Sequence, residues 1–134
     1  MYRHFGRKNQ AYALEIVAAA KSIGKNLRLT LVGSGPNFDT LVRRTKQLGI
    51  SDLVEFAGFI GNPSQLYPEH RACLHTASIE NLPLTLVEAL AYGKPIFAPA
   101  VGGIPEVFES EKQGRLIPLN SAVEAAKLII EWID

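Results

Sequence analysis

Glu80 and Glu88 stand eight residues apart in the stretch SIENLPLTLVEAL, residues 78–90, with Pro83 between them. Proline suits the first turn of a helix, where its missing N–H costs nothing. A helix starting there leaves the backbone amides of Leu84, Thr85 and Leu86 without helical acceptors, and the Thr85 hydroxyl adds a donor. Such a group of donors favours an anion. Glu80 then precedes the helix in a loop. Glu88 falls in its second turn, about 7 Å along the axis at roughly 1.5 Å per residue. A carboxylate beside a phosphate is repelled, so neither glutamate suits the phosphate itself. An ionised carboxylate is an acceptor with two oxygens, and paired sugar hydroxyls are its natural complement. The pattern therefore fits a ligand of the form sugar–diphosphate–ribose. A loop-surface glutamate and a solvated helix glutamate give the same spacing, and an acid/base pair acting across a glycosidic bond is a further alternative. That last chemistry needs no phosphate site and leaves the helix start unexplained.

Two other segments carry polar chemistry. VGSGP puts Gly33 and Gly35 at a strand-to-helix turn, where they let backbone amides approach an anion or serve only as turn residues. Glu55 follows at the distance of a ribose-binding acid, but Phe38 stands where the dinucleotide fingerprint needs a third small residue. At the amino end, Arg3, Arg7 and Lys8 offer cations that can neutralise a diphosphate, or form an exposed basic terminus. His4, His70 and His75 have no metal-ligand spacing with one another or with Cys73, so no metal site is expected. Cys73 lies in an apolar run and reads as a small core residue. Neither a nucleophile elbow nor a P-loop is present.

These segments must be held by a scaffold, and the pattern of the chain predicts one. Helices are expected over residues 9–24, from Phe38 to a stop at Gly49, from about Pro83 to Tyr92 with Gly93 closing, and over 121–133. Residues 64–69 make a short helix at best because of Pro68, and GGIPEVFE gives a helical turn. Strands are expected at 27–33, 53–58, 71–77, 95–99 and 114–118. Only residues 1 to about 5 remain for a leading strand, which is short for the opening of such a fold. Strands and helices alternate, which implies parallel strands joined by right-handed crossovers. The strands are apolar on both faces, as buried parallel strands are. The expected fold is α/β: a doubly wound, Rossmann-like parallel sheet with helices on both faces. Ligands of such sheets bind beyond the carboxyl ends of the strands. The loops there are 33–36, 58–62, 77–83 and 99–105. The stripe Val123, Ala126, Lys127, Ile130, Trp132 and Ile133 of the last helix is expected to pack.

Bulk properties narrow the function. The chain has 134 residues, 47% of them apolar and 20% charged, with a net charge of +1. That is one domain with a core. It lacks the basic stripe that nucleic acid requires. No apolar stretch approaches the roughly 20 residues of an integral membrane segment. The polar, basic start is unlike a signal peptide. A cytoplasmic location, or a peripheral one at the inner face of a membrane, is expected.

SIENLPLTLVEALAYGKPIFAPAVGGIPEVF resembles the E-x7-E region of the family 4 retaining glycosyltransferases. LTLVGSGP is similar to their Gly-x-Gly-Pro turn, VEFAGFIGN to the segment that holds the nucleotide base, and GRLIPLNSAVEAAKLI to their closing strand and helix. The resemblance spans nearly the whole chain and implies one half of a GT-B fold, the carboxyl-terminal, donor-binding domain. It implies that Glu80 contacts the transferred sugar and Glu88 the ribose hydroxyls, that the Leu84 and Thr85 amides meet the distal phosphate, and that Phe59 and Ile60 flank the base. Arg3 and Lys8 take the positions of the diphosphate clamp, with Arg7 the competing arginine. Gly33, Gly35 and Asn81 complete the expected donor set. Asn81 replaces a family glycine, and Tyr2 replaces the glycine usual before the arginine.

The expected function is transfer of a sugar from a UDP- or GDP-type donor to a glycan or lipid acceptor, as in cell-surface polysaccharide biosynthesis. The donor is a substrate, and no cofactor or metal is implied. Residues 1–134 are expected to be a fragment lacking the acceptor domain and most of the first strand, with little activity alone. A non-catalytic nucleotide-sugar-binding module and a GT-B sugar epimerase are the alternatives.

Overall fold

The computed structural model describes residues 2–3, 9–32, 37–58, 68–76, 84–107 and 113–133. Six strands alternate with five helices among them: β1 Tyr2–Arg3, α1 Gln10–Ser22, β2 Leu29–Val32, α2 Phe38–Gln47, β3 Val54–Gly58, β4 Cys73–Leu74, α3 Leu84–Ala91, β5 Ile96–Ala98, α4 Ile104–Val107, β6 Gly114–Leu116 and α5 Ala122–Ile133. Every strand pairing is parallel, in the orders β1-β2-β3 and β4-β5-β6. The expected α/β architecture is thus present, with a short leading strand.

Alternation along the strands assigns the two faces. Leu29 and Leu31 of β2 pack with Ala13, Leu14 and Val17 of α1 and with Leu41 of α2. Phe97 of β5 points to the same side, where Tyr12, Ile16 and Ala20 of α1 meet Ala125, Ala126 and Ile129 of α5. Val32, Cys73, Ile96 and Ala98 point to the other side, against Ala89 of α3 and Ile104 of α4. Helices therefore cover both faces, with α1, α2 and α5 on one and α3 and α4 on the other. This is the doubly wound arrangement, and it explains why β2 and β5 are buried along their whole lengths. Cys73 is in the core, as its apolar run predicts.

Three helices stop in the same way. Gly24, Gly49 and Gly93 have φ of 84°, 71° and 72°, the left-handed region open to glycine. After α1, Gly24 N–H donates to Lys21 O at 3.0 Å and Lys25 N–H to Ala20 O at 2.9 Å. The pairs Gly49–Lys46 with Ile50–Thr45, and Gly93–Leu90 with Lys94–Ala89, repeat that pattern after α2 and α3. These are Schellman motifs, which satisfy the last carbonyls of each helix and turn the chain toward the next strand.

Some expectations need correction. The strand expected over 71–77 is regular only at Cys73–Leu74, although His75 N–H still donates to Phe97 O at 2.8 Å. Val123 and Lys127 of α5 face outward, while Ala125, Ala126 and Ile129 form its buried stripe. The apolar reading was offset because alanines, small enough for close approach to α1, make that contact. Phe38 at the start of α2 is partly exposed and stands edge-to-face with Phe56 of β3, centroids 5.4 Å apart. Pro68 and Glu69 form a helical turn; the rest of the helix expected there lies outside the described residues.

Candidate functional site

Parallel strands put all their carboxyl ends on one edge of the sheet. The register places Arg3 opposite Val32, and Val32 opposite Gly58. The last residues of β1, β2 and β3 thus form one row at that edge. Gly33 follows Val32 in sequence and Phe59 follows Gly58. Gly33, Gly35, Phe59 and Ile60 lie outside the described residues, as do Lys8, Arg7, Glu80, Asn81 and Pro83.

Helix α3 is where the expected anion site is best defined. It begins at Leu84, with Thr85 next, so the open backbone amides expected of these residues belong to a real helix start. Glu88 comes one turn later, about 6 Å from Leu84 along the axis. It is half-buried, between Val87, which is half exposed, and Ala89, which is sealed in the core against β5. Packing of Ala89 fixes the rotation of α3 and so the direction in which Glu88 leaves it. A half-buried glutamate keeps its carboxylate within reach of solvent while its stem is held.

The other side of the site starts at Asn9. This residue precedes α1 with φ 54° and ψ 48°, a left-handed conformation that asparagine tolerates better than most residues. Its carbonyl accepts from Tyr12 N–H at 3.1 Å and from the Thr76 hydroxyl at 2.9 Å. Thr76 follows β4 and is fully buried. The bond brings the end of β4 against the start of α1, where the order of strands reverses. Doubly wound sheets bind ligands at such a reversal. The adjacent Gln10 is also buried, and no hydrogen bond engages its side-chain nitrogen. Neither Thr76 nor Gln10 was legible as a site residue. The signal for both is a polar side chain at a position that the surrounding apolar pattern assigns to the core.

The histidines fall elsewhere. His70 Nε2 and Thr30 Oγ1 are 2.9 Å apart, linking the segment before β4 to β2. His75 is buried at the end of β4. Among the described residues no group of His, Cys, Asp or Glu could hold a metal ion. A cavity of about 430 Å³ opens near the amino ends of β2 and β4, lined by Leu27, Leu29, Leu74, Phe97, Ile129 and Ile133 among others. That is the pole opposite the candidate site, and it contains no residue of it. No helix among the described residues is long and apolar enough to cross a membrane.

Comparison with known proteins agrees with this geometry. The family profile described as glycosyl transferases group 1 matches residues 1–134. N-acetyl-alpha-D-glucosaminyl L-malate synthase of Bacillus anthracis is 36% identical over 79% of this chain and 28% of its own length. The putative colanic acid biosynthesis glycosyltransferase WcaL of Salmonella typhimurium is 30% identical over 94% of this chain and 33% of its own. The chain spans about a third of the length of these relatives. The crystal structure of HepE of Anabaena in complex with UDP-glucose superposes with a TM-score of 0.81, at 27% identity, over 99% of this chain and 38% of that one.

Proposed function

We propose a donor-binding role for this chain, which belongs to the group 1 glycosyltransferase family. It is the carboxyl-terminal half of a GT-B retaining enzyme and holds a nucleoside-diphosphate sugar of the UDP or GDP type. The observation that carries this reading is the start of α3 at Leu84 with Glu88 half-buried one turn on, at the carboxyl edge of a doubly wound sheet. HepE, solved with UDP-glucose, supports the donor class.

In this reading the Leu84 and Thr85 amides bind the distal phosphate and Glu88 accepts from the ribose hydroxyls. Glu80, with Asn81 beside it, faces the transferred sugar. Arg3 and Lys8 neutralise the diphosphate, Gly33 and Gly35 let the backbone approach it, and Phe59 and Ile60 flank the base. The whole protein supplies a second domain that holds a glycan or lipid acceptor. Transfer breaks the bond between the anomeric carbon and the diphosphate oxygen, whose electron pair leaves with the nucleotide. The acceptor hydroxyl oxygen forms the new bond, and its proton passes to the departing phosphate. Charge on the leaving group grows in the transition state, so the helix start and the two cations accelerate the step by meeting that charge.

The test is calorimetric titration of the 134-residue chain with UDP, GDP and their glucose and mannose derivatives. Binding of at least one nucleoside diphosphate is expected, with no requirement for a divalent ion. Absence of binding to all of them overturns the reading.

A further inference from the structure

We infer that Thr76 is a positioning residue for the donor site, holding the loop after β1 and the loop after β4 at a fixed separation. The inference rests on the donor-binding reading above. Its basis is the bond from the Thr76 hydroxyl to the Asn9 carbonyl, 2.9 Å long, between residues 67 positions apart.

The two loops belong to different halves of the fold. β1 pairs with β2, β4 pairs with β5, and among the described residues the two three-stranded sheets share no strand pairing. Ladder hydrogen bonds therefore set the height of each loop within its own half but not the gap between the halves. Side-chain packing across the gap is apolar and tolerates small slides, since it has no directional component. A hydrogen bond to a buried carbonyl is directional and short. Thr76 supplies one where it matters. Asn9 directly follows Lys8, and Thr76 comes four residues before Glu80 and eight before the start of α3.

The site of attachment is itself fixed. The Asn9 carbonyl also accepts from Tyr12 N–H in the first turn of α1, so it is anchored to the helix it precedes. The left-handed turn at Asn9 sets the direction in which the chain enters α1. Thr76 has no exposed surface, so water cannot replace its hydroxyl when it is removed. A diphosphate bridging the cations of one loop and the helix start of the other requires a gap of one width. Thr76 sets that width without touching the ligand.

The experiment compares Thr76→Val, which keeps the shape and deletes the hydroxyl, with Thr76→Ser, which keeps the hydroxyl. Each is titrated with whichever of UDP and GDP the wild-type chain binds, and with the matching nucleoside, uridine or guanosine. Thr76→Val is expected to weaken the nucleoside diphosphate about 3- to 10-fold, the range of one lost hydrogen bond. The nucleoside, which does not span the gap, is expected to bind unchanged, and Thr76→Ser to bind both ligands as wild type does. Equal losses for diphosphate and nucleoside overturn the inference, as does a Thr76→Val chain that binds both normally. So does a serine variant as weak as the valine one. If Thr76→Val does not fold, Thr76→Ala takes its place under the same criteria. A wild-type chain that binds neither diphosphate overturns the donor-binding reading itself, and the inference with it.

Discussion

Glu88→Ala separates ribose recognition from phosphate recognition. Glu88 is half-buried on α3, and its neighbour Ala89 provides the packing that holds the helix. Alanine is the better helix former by a few tenths of a kcal/mol. The substitution therefore leaves the fold intact, and the melting temperature should move by no more than about 2 °C. The lost interaction is a hydrogen bond with one charged partner, worth about 1.5–3 kcal/mol net. The dissociation constant for UDP or GDP should rise roughly 10- to 100-fold. The decisive comparison uses the 2′,3′-dideoxy analogue of the same nucleotide as the chemical counterpart of the mutation. Wild type should bind that analogue as weakly as Glu88→Ala binds the natural nucleotide. The variant should bind the two ligands almost equally, because the coupling measured by such a cycle belongs to the carboxylate–hydroxyl pair. Isothermal titration at one salt concentration measures all four constants. If the variant loses the same factor against the dideoxy analogue, the carboxylate does not act on the ribose hydroxyls, and the assignment fails.

Other substitutions test the scaffold. A Cβ at Gly114 would overlap the Ile96 carbonyl, and Gly114 has φ 124°, so Gly114→Ala should cost more than about 3 kcal/mol in chemical denaturation. Phe97 is fully buried and stands edge-to-face with Trp132, centroids 5.8 Å apart, so Phe97→Ala should cost about 3–5 kcal/mol by the same measurement. Burial pushes the Tyr12 phenol above its ordinary 10.0; the backbone hydrogen bond with Ser121 opposes this, and Glu15 adds to it. The folded protein then holds that proton more tightly than the unfolded chain. The associated stability is fully present below about pH 10 and is lost as pH rises through the folded value. Urea unfolding of wild type should weaken between about pH 9 and 11 by more than that of Tyr12→Phe.

The alternation of strand and helix was legible because each element carries its own punctuation. Gly24, Gly49 and Gly93 marked three helix ends, and all three adopt the left-handed turn that ends them. The two buried faces were legible too, since Leu29, Leu31, Ile96 and Phe97 leave no polar side on β2 or β5. Side-chain direction on α5 was less legible. A valine at 123 looks like core by type, yet the helix turns the alanines inward because α1 lies too close for larger residues. Hydrophobicity records what a residue tolerates, and the distance between two helices decides which residue is used.

The polar part of the site divides along a similar line. Residues whose role is local could be found from spacing, and Glu88 behind a helix start at Leu84 is the case that the described structure retains. Thr76 depends on a meeting of chain segments 67 positions apart, and no local pattern encodes such a meeting. Only the reversal of strand order brings the end of β4 to the start of α1, so the role of Thr76 follows from topology. This has a consequence for variation at the site. Changes at positions that read as ligand contacts should alter which nucleotide binds. A change at Thr76 should alter how well the diphosphate is held, whatever the base. The ratio of diphosphate to nucleoside affinity, measured with both uridine and guanosine series, distinguishes the two kinds of residue. A Thr76 variant that changes the preferred base while leaving that ratio intact would place Thr76 among the contacts and remove it from the frame.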